Sequence, residues 1–174
     1  MNIDLSKKGI QSAISELRSY KESLQYKSRE FVEKLADLGV NVAMFTLHSK
    51  GQGDSDRDAD FNVSVDINGT TVTGTISLSS TPKIDKKGRI FYPHLAWEFG
   101  AGSYFNSTSH PKADEFGLGV GTFPNQTHAE NDFWFYRDDD GLHKSYGTEA
   151  TMPLYNALLE IMDRTEEVAR EVFG

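Results

Sequence analysis

Two alternating apolar segments joined by a tight turn constrain the fold of this chain more than any other feature. Asn68-Gly69 separates them, and this pair is preferred in two-residue hairpin turns because both turn positions need positive φ. Such a turn predicts that Val65 faces Val72 and Phe61 faces Ile76, with the apolar side chains on one face. We therefore expect an antiparallel hairpin over 61–78. The alternating apolar residues are Phe61, Val63, Val65, Ile67, Val72, Ile76 and Leu78.

Apolar residues at alternating steps of four and three predict a long N-terminal helix over 4–38. Asp4 or Ser6 is suited to cap its start, and Gly39 its end. At 1.5 Å per residue the helix would be about 50 Å long, more than the radius of a domain this size, so part of it is expected to project. We interpret most of it as packed on its own sheet, with the alternative that the projecting part contacts another subunit. The stripe comprises Ile10, Ile14, Leu17, Leu24, Phe31, Leu35 and Leu38, with Lys21 and Ser28 at two of its positions.

The segments after these two features predict short strands. The mostly apolar run 40–47 is expected to enter the core as a strand. Pro93 makes Ile90–Phe99 unsuitable for a central strand, so a short helix or bent strand is expected there. The aromatic run 133–136 predicts a strand, and a turn at 138–141 returns the chain for a second one.

A helix is predicted near the end of the sequence. Thr151 is suited to cap it, and Pro153 fits its first turn because a proline there loses no hydrogen bond. The order of elements predicts one α+β domain over 1–174, with the long N-terminal helix and the C-terminal helix packed on one face of an antiparallel β-sheet. The apolar stripe of the last helix is Leu154, Leu158, Ile161, Thr165, Val168 and Val172.

Composition limits the classes of protein that fit. The chain has 26 acidic and 18 basic side chains and a net charge of -8, so we expect repulsion from nucleic acid and anionic lipid outside any local basic patch. It has no cysteine, which excludes disulfides, thiolate metal sites and cysteine nucleophiles. No apolar run approaches a membrane span, and the charged opening residues do not fit a signal peptide, so no membrane partner is expected.

The segment 50–60 is predicted to be an exposed or interface loop. Asp54, Asp56, Asp58 and Asp60 alternate within it, which is reminiscent of a calcium loop. An EF-hand needs glycine at its sixth position and glutamate at its twelfth, and neither register from the first two aspartates supplies them. We therefore expect a solvated acidic loop, with metal binding in another geometry as the alternative.

The segment 100–131 is also predicted to be an exposed or interface loop. It is rich in Gly, Ser, Asn and Pro and is long for a compact domain. Its aromatic side chains, Tyr104 and Phe105 among them, need burial somewhere. This combination favours a functional or interface role over a linker.

The sequence contains no motif of a known catalytic or cofactor site that we can recognise. The five histidines fall outside HExxH and HxH patterns, and GxSxG is absent. The glycine-rich Gly117–Gly121 lacks the lysine of a phosphate loop. We predict a protein that is not an enzyme, with no catalytic residue, no cofactor and no metal.

Five segments carry a family resemblance. They are IDLSKKGIQ and the rest of 3–40, LAWEFGAG at 95–102, SHPKA at 109–113, FWFYRDDDGLHKSYG at 133–147 and ATMPLYNALLEI at 150–161. Together they resemble the tail-component family of siphophage neck proteins, also called tail-completion or head–tail joining proteins, of Firmicute phages and prophages. The chain departs from that family where Thr151-Met152 replaces an Arg-Pro pair, and where the hairpin at Asn68-Gly69 replaces a Gly-x-Leu-x-x-Ser-Ile segment.

The resemblance implies a structural virion protein that completes the tail, or joins it to the head at the neck, as a ring around the DNA channel. The implied partners are further copies of itself, most commonly six in the ring, a head-closure or connector protein, a tail terminator or tail tube protein, and DNA that passes through the lumen without sequence-specific binding. The implied location is the neck or tail of the virion, after assembly in the host cytoplasm. The candidate assembly or channel-facing residues are Asp54, Asp56, Asp58, Asp60, Glu98, Phe99, Tyr104 and Phe105.

Two other classes of function remain as alternatives. A metal-dependent hydrolase would use the Asp54–Asp60 loop. A small binding module would use the aromatic residues of 100–131 to hold a carbohydrate or a host factor.

Overall fold

Two helices pack against an antiparallel hairpin in this protein, which is the α+β arrangement that the sequence predicts. The computed structural model describes residues 6–49, 58–84, 88–102, 110–119, 130–138 and 140–174. Within these ranges the elements are α1 (Lys7–Ser49), β1 (Ala59–Asn68), β2 (Thr71–Ser80), β3 (Lys83–Ile84), β4 (Ile90–Phe91), α2 (Pro93–Phe99), α3 (Ala113–Phe116), β5 (Trp134–Asp138), β6 (Gly141–Ser145) and α4 (Pro153–Phe173). The strands form three antiparallel pairs, β1–β2, β3–β4 and β5–β6.

The start of α1 follows from its cap. The hydroxyl oxygen of Ser6 accepts a hydrogen bond from the Gly9 N–H at 3.1 Å, which satisfies one of the unpaired donors of the first turn. The prediction that Ser6 caps the helix is therefore confirmed. The alternative cap, Asp4, lies outside the described residues.

The end predicted for α1 is wrong, because the helix continues through Gly39 to Ser49 and includes the run 40–47 that was predicted to be a strand. Gly39 is buried where Ile76 of β2 and Ile161 of α4 meet, and a Cβ there would lie 2.6 Å from the Cδ1 of each. The absence of a side chain lets three elements approach one point. Glycine at this position therefore serves packing and does not end the helix.

The helix α4 runs antiparallel to α1 along its C-terminal half. The rings of Phe31 and Phe173 lie 5.8 Å apart near one end of the contact, and Gly39 meets Ile161 further along. Nζ of Lys34 lies 2.6 Å from a carboxylate oxygen of Glu171, and this hydrogen bond raises the pKa of the amine above its ordinary value. Because both groups are exposed to solvent, the pair contributes little to stability.

The hairpin forms with a register two residues away from the prediction. Asn68 pairs with Thr71, Val65 faces Gly74, and Phe61 faces Leu78, so the turn residues are Gly69 and Thr70. Gly69 has φ 63° and Thr70 has no positive φ, so the turn needs glycine at its first position only. An even shift keeps every side chain on its predicted face, which is why the apolar residues still face the helices.

The small core lies at the open end of the hairpin. Leu47 of α1, Leu78 of β2 and Trp97 of α2 are buried together there, and Phe61 and Leu154 pack against them. Gly74 passes close to α1 further along β2, where a Cβ would lie 2.7 Å from Cγ1 of Val32. No helix in the described part of the chain is long and apolar enough to cross a membrane.

The shorter elements and the two predicted loops agree with the sequence-based expectations in part. Ile90–Phe99 contains both a short strand, β4, and a short helix, α2, and the hairpin of β5 and β6 is confirmed. Ala59 and Asp60 belong to β1, so the loop predicted over 50–60 is too long at its end. Within 100–131 the described residues include α3, and 103–109 and 120–129 lie outside the described residues.

Replacing Gly39 with leucine is expected to lower the free energy of unfolding by about 1–3 kcal/mol, because the added side chain displaces Ile76 and Ile161. Gly39→Ala is expected to cost less, since the tips of both isoleucines can move and alanine favours the helix by about 1 kcal/mol over glycine. Urea denaturation followed by circular dichroism measures both. Equal stability of the leucine variant and the wild type would contradict this packing.

Candidate assembly surface

The carboxylate of Glu98 caps the last helix from another element. Glu98 lies in the last turn of α2 and is 7% exposed. Its Oε2 accepts the N–H of Leu154 at 2.8 Å, and its Oε1 accepts the N–H of Tyr155 at 2.9 Å. These are first-turn donors of α4, which have no partner within the helix, and the positive end of the helix dipole favours an anion there.

His110 completes the surroundings of this carboxylate. Its Nε2 lies 3.2 Å from Oε1 of Glu98, and its Nδ1 accepts the N–H of Lys112 at 3.0 Å. A ring nitrogen that accepts a hydrogen bond carries no proton, so this geometry assigns the proton of the neutral ring to Nε2, which donates to Glu98. The ring also contacts Phe99 at 4.7 Å and Tyr155 at 5.0 Å between centroids.

The neighbouring carbonyl of Trp97 holds the residues that lead into α4. It accepts the N–H of Thr151 at 2.7 Å, the hydroxyl of Thr151 at 3.0 Å and the N–H of Met152 at 3.1 Å. Met152 is the residue before the helix and has φ 57° and ψ 49°, a left-handed conformation that costs a non-glycine residue about 1 kcal/mol or more. The prediction that Thr151 caps α4 is therefore wrong, because its hydroxyl donates to Trp97 and Glu98 does the capping.

An open groove of about 500 Å³ lies over this buried network. Its walls come from α2, α3 and α4 and are mainly apolar, with Phe116 61% exposed at its rim. The polar groups of Glu98 and His110 form part of its floor, but their hydrogen bonds are made within the protein. The apolar side chains that line it include Leu95, Phe99, Phe116, Leu154, Tyr155 and Leu158.

The outer face of α4 continues this apolar surface. Leu158, Leu159 and Met162 are 46%, 47% and 66% exposed. Tyr155, Leu158 and Met162 are spaced by three and four residues, so they share one side of the helix. α4 therefore has two apolar sides, one against α1 and one on which Leu158 and Met162 are exposed.

A second exposed apolar surface lies at the other end of the molecule, on the residues of α1 that precede the hairpin. Nε2 of Gln25 donates to the carbonyl of Gly69 at 3.0 Å, so the hairpin turn contacts α1 at this point. We call 7–24 the arm. Its large apolar side chains are 44–67% exposed. They are Ile10, Ile14, Leu17, Tyr20 and Leu24.

Exposed aromatic residues also occur on the β5–β6 hairpin. Phe133 packs edge-on against Phe135 at 5.7 Å and against Tyr146 at 6.1 Å. Nζ of Lys144 lies 3.7 Å from the centre of the Phe133 ring, a cation–π contact. This hairpin therefore presents an aromatic surface that carries a positive charge.

Of the candidate assembly or channel-facing residues that the sequence suggested, those that the structure describes do not all lie together. Glu98 is buried, with its carboxylate bound to the first turn of α4 and to His110, and Phe99 lines the groove. Asp58 and Asp60 are exposed. Asp54, Asp56, Tyr104 and Phe105 lie outside the described residues. Among the residues that are described, no group of three or more His, Asp or Glu side chains could hold a metal ion.

Sequence reasoning missed most of the groove. Leu158 was assigned to the stripe that faces the core, although it is exposed beside Phe116. The spacing of Tyr155, Leu158 and Met162 would have revealed the second apolar side of α4. His110 of the SHPKA segment falls outside any recognised histidine motif and its partner Glu98 is distant in sequence, so no local pattern indicated that pair.

No family model, curated protein or solved structure matches this chain.

Glu98→Ala is expected to lower the free energy of unfolding by about 2–4 kcal/mol, because two helix N–H groups lose a charged acceptor in a buried place. Glu98→Gln keeps one acceptor and is expected to lose about half as much. The matched control is Glu115→Ala in α3, which is exposed and is expected to change stability by less than about 0.5 kcal/mol. Chemical denaturation measures all three, and full stability of Glu98→Ala would contradict the capping role.

His94 gives a pH dependence of known direction. Burial lowers the pKa of its imidazole below the ordinary value, and its Nδ1 lies 2.8 Å from the hydroxyl of Ser80. The unfolded chain therefore binds a proton at a higher pH than the folded one, so this contribution to stability is present above about pH 6.5 and is lost as pH falls through the lower folded pKa. Melting temperatures of the wild type and His94→Asn from pH 8 to pH 5 are expected to differ in slope, with the variant less sensitive. Parallel curves would contradict this.

Proposed function

We propose that this protein is a structural subunit of a tailed-phage virion, which completes the tail or joins it to the head at the neck as a ring around the DNA channel. One observation carries the proposal. Three segments that resemble the neck family, around Glu98-Phe99-Gly100, His110 and the start of α4, lie far apart in sequence and meet at one buried network. Residues that contact one another in the fold must fit together, and this would account for their occurring together in the sequence pattern of the family.

The chemistry of that network favours a supporting role over catalysis. Each carboxylate oxygen of Glu98 already accepts a backbone N–H, and His110 is held between Phe99 and Tyr155. A general acid or base needs a free path to the proton it moves. Here the carboxylate oxygens of Glu98 hold α2 against α4. Another protein could reach only the apolar groove above them.

The exposed surfaces also support a role in assembly. The arm, the groove with the outer face of α4, and the β5–β6 hairpin all present large apolar side chains to solvent. Large exposed apolar patches mark surfaces that other molecules cover. In the proposed ring, copies of this protein cover some of them, and a connector, a tail terminator or a tail tube protein covers others.

The charge of the chain suits a subunit that DNA passes. A net charge of -8 repels the phosphate backbone, so a lumen of this sign lets DNA move without trapping it. The proposed binding of DNA is therefore weak and independent of sequence. The proposed location is the virion, after assembly in the cytoplasm of the host.

The groove favours a small binding module as the second candidate function. Its volume of about 500 Å³ falls within the range of ligand sites. It is open to solvent, however, and the buried carboxylate and imidazole beneath it have their hydrogen bonds within the protein. An extended apolar partner such as a helix therefore fits the groove better than a small polar molecule.

Deleting the coding sequence from the phage or prophage that carries it tests the neck role. Electron microscopy is expected to show DNA-filled heads and separate tails that fail to join, or tails of defective length. Supplying the wild-type protein or the Glu115→Ala control in trans is expected to restore complete virions. Complete virions in the absence of the protein would contradict the proposal.

A further inference from the structure

The arm carries an apolar stripe suited to packing against another helix. Ile10, Ile14, Leu17 and Leu24 follow steps of four and three, with Lys21 between the last two. At 100° per residue they lie on the side of α1 that, further along, packs against α4 and β2. The stripe therefore continues the α1–α4 seam beyond Phe173, where α4 ends.

The outer face of α4 presents a matching stripe. Tyr155, Leu158 and Met162 are also spaced by three and four residues and lie beside the groove. Two helices with such stripes pack with the side chains of one in the spaces of the other. Because the near side of α4 is already covered by α1, the outer side is the one left for a second helix.

The arm and α4 carry net charges of opposite sign. The arm has four basic and two acidic side chains, although the whole chain is acidic. Pro153–Phe173 has two basic and five acidic side chains. Opposite charges steer such surfaces together and disfavour contact between two arms or between two α4 helices.

The positions of the two surfaces exclude a contact within one chain. Leu24, at the end of the arm, is about 35 Å along α1 from Leu47, which packs with Leu154 beside the groove. The helix between them is continuous. The arm can therefore reach the outer face of α4 only in another copy.

We propose that the arm of one copy docks along the outer face of α4 and the adjoining groove of a second copy. This inference rests on the self-assembly in the proposed function and names the contact that produces it. In the head-to-tail form that the proposed ring requires, repetition of this contact gives a closed ring or an open helix of subunits. Each copy then has its own groove filled and its own arm buried.

Single cysteines test this docking directly, because the natural chain has none. Leu17→Cys on the arm and Met162→Cys on α4 replace exposed side chains, so neither is expected to disturb the fold. When the two full-length variants are mixed and oxidised, a disulfide dimer of one chain of each kind is expected. Ser19→Cys is the matched control, since it lies on the opposite side of the arm, and about tenfold less cross-linking to Met162→Cys is expected.

The same variants identify the competing arrangements. Rapid dimerisation of Leu17→Cys alone would show that arms pair with each other, and would overturn the proposal. Equal cross-linking of Ser19→Cys and Leu17→Cys would do the same, because contact would then not depend on the stripe. Absence of any cross-link between Leu17→Cys and Met162→Cys at high protein concentration would also overturn it.

A second measurement uses the mass of the unmodified assembly. Sedimentation equilibrium is expected to show species heavier than 19.4 kDa for the wild type. Leu17→Asp is expected to weaken association about tenfold or more, because it would bury a charge beside the acidic α4, whereas Ser19→Asp is expected to leave it unchanged. Equal masses for the two aspartate variants would contradict the proposal.

The two proposals fail in different ways. Cross-links between arm and α4 in a protein that virions do not need would leave the docking intact and reject the neck role. Defective necks without the protein, together with the absence of those cross-links, would keep the neck role and reject the docking.

Discussion

The hydrogen bonds between Glu98 and the first turn of α4 are the interaction on which the rest of the structure depends. A helix begins with N–H groups that have no internal partner, and here a carboxylate from α2 supplies the acceptor. The carbonyl of Trp97 holds the preceding residues, including the left-handed Met152. These contacts fix the position of α4, and thereby decide that its second apolar side borders Phe99 and Phe116. The buried polar network and the exposed apolar groove are thus two sides of one junction.

The second constraint is the closeness of α1, α4 and the hairpin. Gly39 and Gly74 let the backbones approach where any side chain would collide with Ile76, Ile161 or Val32. The buried side chains of the described residues are mostly small, with several alanines among them. The part of the protein that packs around the C-terminal half of α1, which we call the body, therefore has a small core. A small core leaves many large apolar side chains on the surface, where another molecule can contact them.

The β1–β2 hairpin, the cap at Ser6 and the two long helices could be predicted because they depend on residues that are close in sequence. The register of the β1–β2 hairpin differs from the predicted one by two residues, because Gly69 can occupy either the first or the second position of the turn. The end of α1 was misplaced because Gly39 has the appearance of a helix stop when its packing against α4 is unknown. Glu98 and Leu154 are 56 positions apart, so only the folded chain reveals that one caps the other.

Because α1 is a single helix of 43 residues, it behaves mechanically as a lever about 65 Å long. A helix of this kind resists bending when it has no proline and no break, so whatever holds the arm also sets the tilt of the body at the other end. A small rotation at one end becomes a displacement of several ångströms at the other. A movement applied to the arm is thereby passed to the far end of α1 without any change in the packing around Gly39.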